Sequence, residues 1–373
     1  MITRTLIQIV PLRSVSPEGV GDYARLIAEQ LLSAHDICTV FVTGTILPPK
    51  DRLHDAWRTI QVAERSAQAM LNALAEAGGN RGDAILLHLS AYGYQDKGVP
   101  LWLLAALERW RWDNPATPLI TVFHELYATG PVWRSAFWLG PIQAWIARRL
   151  QRISNAGIAT TQLYANILKR WRGDRPGSIT ALPVFSTIGE MPTPPTIRSA
   201  SLAVFGRAGI FKAIYLDGID EIEAFVTANH ITEIVDIGQR NEAPPATIGC
   251  ATVRCMGQLP TTDLQRELSR VRFGLLDYDA DRLAKSTVFA AYCAHGAIPV
   301  CLSDNPGVLD GLEPGKNYVK LPAQPHASHF SGVELERLQS CATSWYRPHT
   351  LQATVDRIVG TLSPESNPAD LHV

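Results

Sequence analysis

The sequence predicts an α/β fold of two doubly wound parallel sheets, and three features carry that prediction. Short apolar runs alternate with helical patterns from residue 5 to residue 302, the order that parallel sheets require. The alternation is broken once, by the densest proline cluster of the chain, at residues 186–196. The third feature is residues 271–300, VRFGLLDYDADRLAKSTVFAAYCAHGAIPV, which run strand, polar loop, helix, strand.

In the first half, strands are expected at residues 5–10, 38–42, 84–89, 119–123, 156–159 and 179–182, with helices at 22–34, 66–77, 100–111 and 141–153. Runs such as AILLHL at 84–89 are apolar almost throughout, as strands covered on both faces must be. Strands resume at 202–205, 234–237, near 252–256, at 271–276 and at 298–302, and two short helices follow at 332–346 and 351–362. The expected division is a first domain over residues 1–186, a linker at 187–200, a second domain at 201–346 and a frayed tail at 363–373. A chain of 373 residues suits two domains of ordinary size.

Hydrophobic residues make up 46% of the chain and charged residues 18%, ample for buried cores. A net charge of −1 argues against a general nucleic-acid binder. The apolar run of the N-terminus, MITRTLIQIVPLR, is too short for a signal peptide and reads as the first strand. The six cysteines have no metal-ligand spacing, and no acidic cluster recurs with metal spacing, so no metal and no cofactor are expected. Free thiols fit a reducing cytoplasm.

The loop after residue 276 leaves the carboxyl end of a strand, where open sheets bind ligands. Ser286 or Thr287 can cap the helix that follows, its free N–H groups suit a phosphate, and Lys285 adds a full charge beside them. The plain alternative is a capped surface helix with an incidental lysine. Residues 201–212, SLAVFGRAGIFK, place Arg207 and Lys212 after another strand end, where two cations can clamp a diphosphate. Gly19 and Gly21, in SPEGVGDYA, permit a tight turn and close approach to a ligand, but the third glycine of a dinucleotide fingerprint is missing. His124 and Glu125 follow a buried strand; such a histidine can orient an acceptor hydroxyl and such a carboxylate can serve as base. His88 ends the preceding strand and is a weaker candidate.

From Leu126 to Gly173 there is no Asp or Glu but seven Arg or Lys, so the rest of the chain carries −8. Trp138 and Trp145 lie among Arg148, Arg149 and Arg152, while Leu139, Ile142, Ile146, Leu150 and Ile153 share one helical face. Basic residues with tryptophan suit an anionic bilayer surface. The plain alternative sets the apolar stripe on the core and the arginines in water.

Taken in order, these motifs resemble the two-domain GT-B glycosyltransferases, most closely their large family 4. GVGDYA resembles the glycine loop of that family, TVFHE its strand ending in a histidine near the acceptor, FGR…K its diphosphate clamp, and HGAIP its Gly-x-Pro turn. The resemblance implies two Rossmann-like domains facing a cleft, with a C-terminal helix (347–362) crossing back to the first. It also implies donor phosphates at Arg207 and Lys212, Gly19 and Gly21 facing the donor, and the pair His124 and Glu125 at the acceptor side. The family places two glutamates with seven residues between them before the Gly-x-Pro turn; those positions here are Leu283 and Ala291. Asp279 or Asp281 is left to reach the sugar hydroxyls, and Lys285, Ser286 and Thr287 carry more of the phosphate.

The function so implied is metal-independent transfer of a sugar from a nucleoside diphosphate sugar to a glycan, lipid-linked or other acceptor, in polysaccharide or glycoconjugate synthesis. The expected location is the cytoplasm, at the inner face of the membrane. The alternative is an inactive GT-B-like binding or scaffold subunit of a polysaccharide assembly, with an epimerase or phosphorylase on the same fold behind it.

Overall fold

A computed structural model of the chain describes residues 4–11, 19–44, 57–78, 84–195, 198–206, 208–303, 308–322 and 329–362. The chain divides into two compact units, Met1–Pro183 with Leu351–Val373, and Val184–Thr350.

The first unit holds strands β1 (Thr5–Val10), β2 (Cys38–Thr43), β3 (Arg58–Gln61), β4 (Ala84–Leu89), β5 (Leu119–Phe123), β6 (Ala156–Ala159) and β7 (Ser178–Ala181). They lie in the order β3-β2-β1-β4-β5-β6-β7, and every pairing is parallel. The strand order reverses between β1 and β4, the usual ligand position of a doubly wound sheet. Its helices are α1 (Gly19–His35), α2 (Ala67–Ala77), α3 (Ala91–Tyr94), α4 (Leu101–Asp113), α5 (Ser135–Ile153) and α6 (Gln162–Arg172). Local chemistry sets their ends. Ser66 accepts the Ala69 N–H to start α2, Thr161 accepts that of Tyr164 to start α6, and Gly78 closes α2 in the left-handed conformation.

The second unit holds helices α7 (Ile219–Ala228), α8 (Thr261–Arg270), α9 (Thr287–Ala294) and α10 (Gly332–Tyr346). Its strands are β8 (Ser199–Phe205), β9 (Glu233–Ile237), β10 (Thr247–Ile248), β11 (Ala251–Gly257), β12 (Val271–Asp277), β13 (Ile298–Leu302) and β14 (Val319–Leu321). The order is β10-β11-β9-β8-β12-β13-β14, parallel except for β10 on β11, and it reverses between β8 and β12. Each unit has its own core, around Ile7, Leu87 and Phe123 in the first and Val204, Phe273 and Val300 in the second.

Several expectations are revised. The proline-rich stretch is fastened to the second unit: the Val184 N–H donates to Ala284 O (2.9 Å), that of Ser186 to the Tyr346 hydroxyl (2.8 Å) and that of Met191 to Ala294 O (3.2 Å). Helix α5 begins six residues before Pro141, which lies inside it. Helix α1 takes in Gly19 and Gly21, so both belong to its first turn; the residues just before them, like the tail at 363–373, fall outside the described residues. The last helix, α11 (Leu351–Leu362), packs on α1, where Gln352 pairs with Gln30 and Asp356 with His35 (2.9 Å).

Candidate functional site

In the second unit the carboxyl ends of β8, β9 and β12 are joined by buried polar groups. Tyr292 of α9 accepts the Phe205 N–H (3.1 Å) and donates to Leu275 O (2.9 Å), tying β8 to β12 at the switch point. Only glycine at 274 leaves room for that ring, because a Cβ there would lie 2.3 Å from it. Arg240 makes a two-point pair with Asp236, Nη2 to Oδ1 at 2.5 Å and Nε to Oδ2 at 3.3 Å. Its Nη1 donates to Gly206 O (2.8 Å), which holds the end of β8 against β9. A cavity of about 580 Å³ opens beside this pair, lined by residues that include Gly238, Arg240, Asn241, Glu242, Cys255 and Gln258. That size accommodates a nucleoside-sized ligand.

Arg207 lies outside the described residues. Lys212 is exposed and pairs with Asp217 at 3.7 Å. Asp217 also faces Asp277 at the end of β12, whose carboxyl is pushed up by burial and by that neighbouring charge. The turn after β8 therefore meets the end of β12, and a cation and two carboxylates converge at the switch point.

In the loop after β12, Asp279 is a turn cap: its Oδ1 accepts the Asp281 N–H (3.2 Å) and Oδ2 lies 3.7 Å from Arg282. Ser303 accepts the Ala280 N–H (3.2 Å), so the 3₁₀ segment Ala280–Lys285 is held at its N-terminal end by both side chains. Asp281 lies in its first turn, half-buried, and Lys285 in its last, also half-buried. Ser286 is the N-cap of α9, its buried Oγ accepting the Phe289 N–H (3.1 Å). Thr287 opens that helix. The serine oxygen thus serves the helix by taking the Phe289 N–H, and the N–H groups of Thr287 and Val288 have no partner within the helix. The two positions where glutamates were looked for, Leu283 and Ala291, are both buried.

In the first unit, His124 follows β5 directly and its N–H donates to Leu89 O (3.0 Å). The ring is buried, whereas Glu125 is exposed. His124 Nε2 lies 3.3 Å from His88 Nδ1, the two rings stack at 5.6 Å, and Tyr23 stands edge-on to both. His88 Nε2 in turn meets Gln8 Oε1 (2.9 Å), and Gln8 Nε2 donates to Thr39 Oγ1 (3.4 Å). These contacts fix the protons. Facing a carbonyl oxygen, His88 Nε2 carries hydrogen. Burial, then the His124 charge, hold the His88 pKa well below the usual imidazole range, so its Nδ1 is an acceptor. His124 then donates to it from Nε2. Sequence reasoning named His88 only as a lesser candidate and missed Gln8, Thr39 and Tyr23; the signal was a glutamine inside the apolar run TLIQIV.

On α5, Trp138, Trp145, Arg148 and Arg152 are exposed, and Arg149 pairs with Glu108 (2.6 Å). Ile146 and Leu150 enter the core, but Ile142 does not, so the expected apolar stripe is split. Arg172 turns inward to the carbonyls of Ser154 and Asn155 and leaves the basic surface. Among the described residues, no three His, Cys, Asp or Glu side chains are grouped to hold a metal ion, and no helix is long and apolar enough to cross a membrane.

No protein-family model matches the sequence, and no curated protein matches it. Solved structures do resemble it. An α-glucosyltransferase in complex with UDP gives a TM-score of 0.57 at 11% identity, over 96% of this chain and 100% of that one. An α,α-trehalose 6-phosphate synthase from Burkholderia multivorans gives 0.55 at 10% identity, over 97% and 98% of the two chains. A UDP-N-acetylglucosamine 2-epimerase gives 0.52 at 11% identity, over 96% and 95%. With its two Rossmann-like halves, the chain has the GT-B fold.

Proposed function

We propose that this protein is a glycosyltransferase that takes its sugar from a nucleoside diphosphate sugar held on the second unit. The observation that supports the reading is a row of groups at carboxyl ends of parallel strands: the turn after β8 bearing Lys212, Lys285 in the loop after β12, and a nucleoside-sized cavity beside Arg240 at the ends of β9 and β11. The α-glucosyltransferase that shares the fold was solved with UDP, which supports the same ligand class.

In this reading Arg207, Lys212, Lys285 and the first turn of α9 stabilise the leaving diphosphate, where negative charge grows as the glycosidic bond breaks. The acceptor is a glycan or a lipid-linked sugar. His124 and Glu125 stand at the acceptor side, the histidine to orient its hydroxyl and the carboxylate to take its proton. Asp279 is committed to its turn, which leaves Asp281 as the carboxylate of that loop for sugar hydroxyls.

A second reading, a nucleotide-sugar-binding subunit without turnover, is favoured by one observation. Leu283 and Ala291 are buried and apolar where transferases of the resembled family carry glutamates. Calorimetric titration of the protein with UDP, GDP, ADP and dTDP, repeated on Lys285→Ala, tests both. The expected result is saturable binding of one nucleotide, weakened roughly 10- to 100-fold in the variant. Release of that nucleotide from its sugar conjugate then separates enzyme from binding subunit. No binding by the folded protein would overturn both readings.

A further inference from the structure

Helix α5 carries an outward stripe that the transferase reading leaves without a task. Trp138, Ile142 and Trp145 follow one another at helical spacing, and the exposed Arg148 and Arg152 continue that side of the helix for two more turns, with Arg149 turned to Glu108. Packing does not require this face, because Ile146, Ala147 and Leu150 already fill the core from the opposite side. Trp133, Trp138 and Trp145 are 81%, 68% and 49% exposed, and Phe137 and Val132 are exposed beside them. The Trp138 Nε1–H donates to Val132 O (2.9 Å), which ties the preceding turn to the helix and holds the aromatic end together. Contiguous aromatic exposure of this kind marks an interaction surface.

The other half of the stripe says what kind. Arg148, Arg149 and Arg175 crowd Arg152 with like charge, and Arg149 lies 5.8 Å from the centre of the Trp145 ring. No acidic residue occurs from Leu126 to Gly173. A surface with tryptophans at one end and a guanidinium cluster at the other matches an interface that is apolar below and lined with phosphates above.

We propose that this stripe docks the protein on an anionic lipid bilayer, with α5 inclined so that its aromatic N-terminal end lies deeper than its arginine end. The aromatic side chains enter the boundary between headgroups and acyl chains, and the arginines reach the lipid phosphates. The inference stands apart from the transferase reading, since none of these residues belongs to the nucleotide site.

Flotation of the full chain with vesicles of phosphatidylcholine alone, and of phosphatidylcholine with phosphatidylglycerol, tests it. Two variants are compared: Trp133→Ser with Trp138→Ser and Trp145→Ser, and Arg148→Gln with Arg152→Gln. Every altered side chain is exposed, so both variants are expected to keep the parent melting temperature. Binding to the anionic vesicles alone, falling with added salt and weakened roughly thirtyfold by the arginine pair, is expected. The tryptophan variant is expected to lose binding too, and in the parent protein the tryptophan emission shifts to the blue on vesicles. Failure to float with anionic vesicles overturns the proposal, as does binding that survives both variants. Self-association lost in the tryptophan variant, or binding of single-stranded oligonucleotide in place of vesicles, would also overturn it and assign the stripe to a second copy or to nucleic acid. Nucleotide binding by calorimetry is unchanged in both variants, so failure here leaves the donor-site reading standing.

Discussion

Replacing Arg240 by methionine removes one half of a buried ion pair and leaves the other half stranded. Asp236 is 2% exposed and the arginine side chain 7%, so in the intact fold the carboxylate relies on the guanidinium rather than on solvent. The guanidinium gives that carboxylate two bonds and gives Gly206 O and Ile237 O one each, at 2.8 and 3.3 Å. Stranding one member of such a pair costs about 3–5 kcal/mol, mostly through the unpaired charge. For a domain of this size, that lowers its melting temperature by roughly 6–20 °C. The double variant Asp236→Asn with Arg240→Met replaces the charge with an amide, and is expected to recover about half of the loss. Hydrogen exchange of the β8 and β9 amides across a urea series reads the second unit separately from the first. A loss below about 1 kcal/mol in the single variant, or equal losses in single and double variants, would refute the argument that the pair is mutually dependent.

Three further outcomes follow from the same structure. Gly274→Ala forces a Cβ to within 2.3 Å of the Tyr292 ring, whose hydroxyl is already fixed at both ends, and should destabilise the second unit by about 1–3 kcal/mol in thermal melts. Ser286→Ala removes the cap of α9 at a cost of about 1 kcal/mol, and Ser286→Thr, which keeps the oxygen, should recover most of it in the same melts. Burial holds His349 down at about 4 from 6.5, against a backbone hydrogen bond at Trp345 that favours the charged form, and burial also lowers His295. A lowered pKa stabilises the fold where the ring is neutral, so this contribution is complete above about 6.5 and is lost as pH falls toward about 4. His349→Gln should flatten that part of the pH–melting curve.

How much of this was legible beforehand depended on whether the cause was local. The runs at Ala84–Leu89 and Leu119–Phe123 are central strands covered on both faces, so their apolar composition marked them to the residue. Edge strand β3, Arg58–Gln61, has one buried residue in four and gave no such signal. Pro141 reads as a first helical residue, yet the helix runs through it from Ser135, because position alone cannot say whether a turn precedes it. Asp279, offered beside Asp281 as a ligand for sugar hydroxyls, also accepts the amide two residues on, a local bond that short polar side chains often make and that the sequence did not announce. The tie between residues 184–191 and the second unit runs through Ala284, Ala294 and Tyr346, which sequence separation hides. The same holds for the line from Thr39 through Gln8 to His88 and His124, since it exists only once β2, β1, β4 and β5 lie side by side.

The placement of α11 bears on how the chain is made. The second unit is one uninterrupted run, while the first is completed by a helix that follows it in the chain. At ordinary ribosomal speeds, that helix emerges on the order of ten to thirty seconds after the rest of the first sheet. Until then the side of α1 that faces Gln352 and Asp356 has no cover, and the second unit can close first. Birth on the ribosome and refolding from denaturant thus present the two halves in different orders, and a holding chaperone has a defined interval and a defined helix face on which to act.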